Sequence, residues 1–160
     1  MTVYTPGALS ANAVLTYATS PKEGSKRGCT MTIVNDVSGG RVTIRFRKPT
    51  GFNRVLVDVM CGSDNEEDYA FAGTLHGTEL CLSARGKCPI EKAKAAKAIV
   101  DWTFKRAASG APLEGLKSDG TPFSVRCLHE GRCACCGRKL TVPESIDTGL
   151  GPVCGKKEEV

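Results

Sequence analysis

The chain has no apolar run approaching the roughly 18 consecutive residues that a membrane-crossing helix needs, and residues 1–20 carry no basic start followed by an apolar stretch. Those absences argue against a helical membrane protein and set a cytoplasmic location as the expectation. Catalytic signatures are missing too. There is no GxxxxGK, no GxSxG, no dinucleotide fingerprint, no HExxH and no HxE of the zinc deaminases, so no catalytic constellation anchors an enzymatic reading. The acidic run from Asp64 to Asp68 lacks the glycine and the distant glutamate of a calcium loop and reads as an exposed turn. His76, in the turn Leu75-His76-Gly77, has no carboxylate or nucleophile pattern beside it and also reads as a turn residue. No internal repeat or low-complexity tract is present.

What the chain does contain is an ordinary globular composition: 160 residues, 41% hydrophobic and 24% charged, enough to close a core in one domain with an appendage. Residues 1–28 have weak periodicity and end in a stretch rich in Pro, Gly, Ser and Lys, the pattern of a poorly specified N-terminal segment with a flexible lead-in. From Cys29 the pattern turns to period two. MTIV, the turn Ser38-Gly39-Gly40 and RVTIRFR predict a hairpin with Val42, Ile44 and Phe46 on one face and Arg41, Thr43, Arg45 and Arg47 on the other. NRVLVDVM, YAFAGTL and TELCLS supply three more strands, so about five form an antiparallel meander.

One helix follows. Pro89 suits its first turn, Ala93, Ala96, Val100, Phe104 and Ala107 recur at spacings of three and four, and Gly110 supplies the stop. The apolar stripe should pack on the greasy face of the sheet. The expected fold is thus α+β, with a sheet-plus-helix domain over 29–110, a loop-rich connector over 111–126 and a small zinc-ribbon or treble-clef-like unit over 127–160.

The nine cysteines carry the strongest chemical signal. Cys29, Cys61, Cys81 and Cys88 are scattered among apolar neighbours and read as small core residues. The others cluster. Cys133 and Cys136 form a CxxC followed by Gly137, whose freedom lets the backbone turn tightly and aim amide N–H groups at metal-bound thiolates. Cys154, within Gly151-Pro152-Val153-Cys154-Gly155, marks a second tight turn at a separation typical of paired ligands. A closed structural Zn²⁺ site needs a fourth ligand, for which His129 is the choice and Cys127 and Cys135 are competitors. A segment this short falls below the ~40 residues at which a domain usually needs a metal, disulfides or a partner, and structural zinc supplies an apparent ~10–16 kcal/mol in small fingers. A redox CxxC would expect a helix starting inside the motif, whereas Gly137-Arg138-Lys139 follows here.

Residues 129–155, HEGRCACCGRKLTVPESIDTGLGPVCG, resemble the C-terminal signature of a group of small phage and prophage proteins of unknown function. A histidine, a CxxCGR, a Leu-Thr-x-Pro-x-Ser stretch and a Gly-x-Gly-Pro-x-Cys end recur there in this order. The segment from Gly62 to Gly73 resembles a second motif of the group, and no likeness extends over residues 1–28. The resemblance implies a viral or prophage origin, hence the cytoplasm of an infected or lysogenic bacterium, and supports His129 as the fourth ligand. It implies no activity. Cys135, inside the knuckle, departs from the pattern.

The net charge of +5 resides in one place, because Arg85, Lys87, Lys92, Lys94, Lys97, Lys105 and Arg106 oppose only Glu91 and Asp101. Together with Arg41, Arg45, Arg47 and Arg54 they could form a phosphate-binding surface. The competing reading is a solvated, salt-paired helix face, since Lys97, Asp101 and Lys105 are spaced by four. Trp102, off the centre of the apolar stripe, is either a stacking residue or a core-edge one. The leading expectation is a non-enzymatic nucleic-acid-binding accessory protein. Its rival is a protein-binding module that blocks or redirects a host enzyme or defence system.

Overall fold

The computed structural model describes residue 9 and residues 13–19, 21, 23–24, 28–51, 54–61 and 69–129. Seven strands form one antiparallel sheet: β1 (Cys29–Asn35), β2 (Arg41–Arg47), β3 (Val55–Met60), β4 (Tyr69–His76), β5 (Glu79–Leu82), β6 (Glu114–Leu116) and β7 (Pro122–His129). Two helices accompany them, α1 (Val14–Thr19) and α2 (Ile90–Ala108). The sheet order is β5-β4-β3-β2-β1-β7-β6. The first five strands run in sequence as a meander, and the chain then crosses through α2 to insert β7 against β1, with Met31 opposite His129 and Ile33 opposite Cys127.

Alternation sorts the side chains as the hairpin pattern requires. Ile44 and Phe46 are buried, Val42 is half-buried, and Phe46 meets Phe104 of α2 with ring centroids 6.1 Å apart. Ala93, Ala96, Val100 and Phe104 are buried along the helix, and Ala107 packs at the margin of the core. The period-3.6 stripe therefore meets the period-2 face, and Met31, Ile33, Val57 and Leu80 fill the space between. Pro89 caps α2, and Gly110, with φ +75°, turns the chain away after its last turn.

Local chemistry sets the turns. Asn35 Oδ1 accepts from the N–H groups of Val37 (3.0 Å) and Ser38 (3.2 Å), closing the β1–β2 connection, in which Gly39 adopts φ +78°. The β3–β4 ladder shifts register between Val57 and Asp58, and Gly73, opposite Val57, lies tight against β5.

Three features depart from the sequence expectation. The sheet has seven strands rather than about five, because β6 and β7 form within and beyond the stretch expected to be a loop-rich connector. β7 does alternate, with Val125, Cys127 and His129 buried and Arg126 and Leu128 between them, but a cysteine and a histidine occupy its core positions and hide the apolar rhythm. β6 is only three residues long and has no signal of its own. Within the N-terminal segment, α1 is too short for periodicity to register, yet it buries Val14, Tyr17 and Ala18, and the Tyr17 hydroxyl donates to the Thr30 carbonyl at 2.7 Å. Of the scattered cysteines, Cys29 is buried as expected, whereas Cys61, Cys81 and Cys88 are half-buried.

Candidate nucleic-acid interface and metal ligands

The basic residues do not form one surface. Arg41, Arg45 and Arg47 alternate with the core residues of β2 and so occupy the sheet face turned away from α2. Two of them are engaged there. Asp58, only 2% exposed, accepts from Arg45 Nε at 3.1 Å, and from Arg47 Nε at 2.5 Å and Nη2 at 2.9 Å. A buried carboxylate demands such partners, because leaving water uncompensated would be costly. Arg45 also lies 4.5 Å above the Tyr69 ring. These arginines fold the sheet. Arg41 and Arg54 are exposed and make no ion pair among the described residues. Arg126 clamps Asp36 across β7 and the β1–β2 turn, and its guanidinium, the first cause, holds the Asp36 carboxyl below its usual value.

On α2, Lys97 fits the salt-paired reading. Its Nζ reaches Asp101 at 2.8 Å, Glu79 at 3.0 Å and the Leu80 carbonyl at 2.9 Å, and hydrogen bonds to Asp101 and then Glu79 push its pKa up. Asp101 also accepts the Leu80 N–H at 2.8 Å, so this cluster docks the helix on β5. Lys94, Trp102 and Lys105 sit on the opposite side from the buried stripe and are exposed. Neither lysine makes an ion pair among the described residues. Arg106 reaches over the aromatic side chains, its guanidinium carbon 5.2 Å from the Trp102 centroid and 4.8 Å from that of Phe123. The two rings meet edge to face at 5.7 Å, and Arg106 Nε donates to the Pro112 carbonyl at 2.9 Å. Arg106 is thereby held in place on the patch by cation–π contact and a hydrogen bond rather than by a carboxylate. Phe123 had no sequence signal, since its role depends on β7 being a strand.

Of the four expected metal ligands, His129 is described and Cys133, Cys136 and Cys154 lie outside the described residues, as do Cys135 and the Asp64–Asp68 run. Among the described residues no three His, Cys, Asp or Glu side chains gather to hold a metal. His129 ends β7, 7% exposed, with its ring 5.8 Å from that of Tyr17. Its competitor Cys127 is buried inside the core opposite Ile33, and burial pushes its thiol up to about 12. Cys127 and His129 thus lie two residues apart on the same buried face of β7.

The fold and its patch thus define an α+β protein built on a seven-stranded antiparallel sheet with one main helix. Residues 128–159 match a family of unknown function (DUF6011). No curated protein and no solved structure matches the chain. No helix among the described residues is long and apolar enough to cross a membrane.

Proposed function

We propose that the protein is a non-enzymatic nucleic-acid-binding accessory protein of phage or prophage origin, carrying one structural Zn²⁺ held by His129, Cys133, Cys136 and Cys154. The observation that supports binding is the outward side of α2, where Lys94 and Lys105 lack carboxylate partners beside Trp102 and the stacked Arg106. Lysines of this kind neutralise phosphates, and an exposed indole offers a platform to any base. Arg85 and Lys87, exposed just before the helix, extend the same field. Arg45, Arg47 and Lys97 have no part in this surface, because their charges are used within the fold.

Trp102 is the single tryptophan, so its emission reports on the patch alone. Titration with single-stranded oligonucleotides at low salt should quench it, and three phosphate contacts would lower affinity roughly 20-fold between 50 and 200 mM salt. Absence of quenching and of gel retardation by DNA and RNA at 50 mM salt would remove this reading. The second reading, a host-protein contact, draws on a different observation: Trp102 and Phe123 meet edge to face beneath Arg106, and Leu116, opposite Pro122 on neighbouring β6, is 72% exposed. Aromatic and arginine anchors with an exposed leucine are the composition of a binding hot spot. A host protein captured by the wild type and lost with Trp102→Ala, without nucleic-acid binding, would favour it.

A further inference from the structure

Cys61 directly follows β3, and Cys88 precedes the capping Pro89 of α2, so neither belongs to a regular element. Their sulfurs lie 3.7 Å apart although 27 positions separate them in sequence. The hydrogen bonds fix an order: the Cys61 thiol donates to the Val59 carbonyl at 3.3 Å, which leaves its sulfur to accept from Cys88. Burial, followed by the contact with Cys61, raises the Cys88 thiol to about 11, so Cys88 rests as a protonated thiol at neutral pH. Two further bonds hold the same junction together. Lys92 Nζ donates to the Cys61 carbonyl at 3.1 Å, and the Cys88 N–H donates to the Phe71 carbonyl at 3.1 Å. Both side chains are half-buried, in contrast to Cys29 and Cys127, which are shut inside the core.

We propose that Cys61 and Cys88 are a modification site, forming a reversible disulfide with a hydroperoxide and so stapling the start of α2 to the end of β3. A disulfide sulfur pair is about 2.05 Å apart, so the sulfurs must approach by about 1.7 Å, which side-chain rotation and small shifts of two non-helical, non-strand residues can supply. The chemistry closes on itself. One thiolate attacks the peroxide oxygen, the O–O bond breaks and the leaving oxygen departs as water or alcohol, which leaves a sulfenic acid. The second thiolate attacks that sulfur and expels hydroxide, which takes up a proton to become water. Overall two S–H bonds and one O–O bond are lost, one S–S bond forms, both sulfurs are oxidised by one electron each and the peroxide is reduced by two.

The intact protein, treated with a small excess of hydrogen peroxide, alkylated and digested with trypsin without reduction, tests this directly. The expected product joins peptide 55–85 to peptide 88–92, disappears on reduction with dithiothreitol and is absent from Cys88→Ser. Because Cys81 shares peptide 55–85, the Cys81→Ser variant must retain the link. Recovery of Cys61 and Cys88 only in unlinked peptides would overturn the proposal, as would a link that Cys81→Ser abolishes. So would protection of the reduced pair from alkylation that EDTA removes, since the sulfurs would then be holding a metal.

Discussion

Asp58 concentrates much of the energetics of the sheet in one carboxylate. It is buried and accepts from two arginines, each of which keeps its head only partly in water. Removing the charge while keeping the shape, as in Asp58→Asn, takes away the buried carboxylate that two guanidinium groups share and should lower stability by about 2–3 kcal/mol, read from the denaturant midpoint. Asp36 gives a milder and pH-dependent test. Its carboxyl is held below the usual 3.8 by Arg126, so its contribution is fully present above the unfolded value and is lost as pH falls through the lower folded one. Asp36→Asn should therefore differ from the wild type at pH 6, and the two denaturation midpoints should converge as the pH falls through the lowered folded value.

At the level of elements, the close approach of β4 to β5 leaves no room for a side chain at Gly73. A Cβ on Gly73 would fall 2.1 Å from the Cys81 carbonyl oxygen, a backbone atom that cannot rotate away. Gly73→Ala should cost several kcal/mol or split the β4–β5 ladder, whereas Gly39→Ala, in open space but at positive φ, should cost about 1 kcal/mol; thermal melts of the two variants distinguish them. The elements also divide by how visible they were in the sequence. The β1–β2 hairpin and α2 could be read because apolar residues occupy nearly all of their core positions, Thr103 apart, at the right period. β7 could not, because Cys127 and His129 take buried positions where apolar residues would have marked the period, and β6 and α1 are too short for any period to emerge. The same blindness concealed the Trp102, Arg106 and Phe123 cluster, whose third member needs β7, and the Cys61–Cys88 contact, which no spacing rule connects. Spacing marked the outward side of α2 and set Arg45 and Arg47 on the far face of the sheet, but it did not show that Asp58 engages them there.

For the whole molecule, the described residues share one hydrophobic core that runs from Leu9 to Cys127 and draws on both helices. Chelation by EDTA should accordingly release one zinc per chain by elemental analysis, yet leave the sheet signal in circular dichroism and the Trp102 emission near their starting values. Loss of the sheet on chelation would mean that the metal supports the entire fold. The placement of β7 has another consequence, for the order in which the chain can be built. A ribosome delivers β1 through β5 first, and during that interval β1 offers a bare row of hydrogen-bonding groups on the flank that β7 later fills. Translation must continue past residue 129 before that flank is sealed, so a nascent chain stalled earlier exposes a sticky border, and one released later does not.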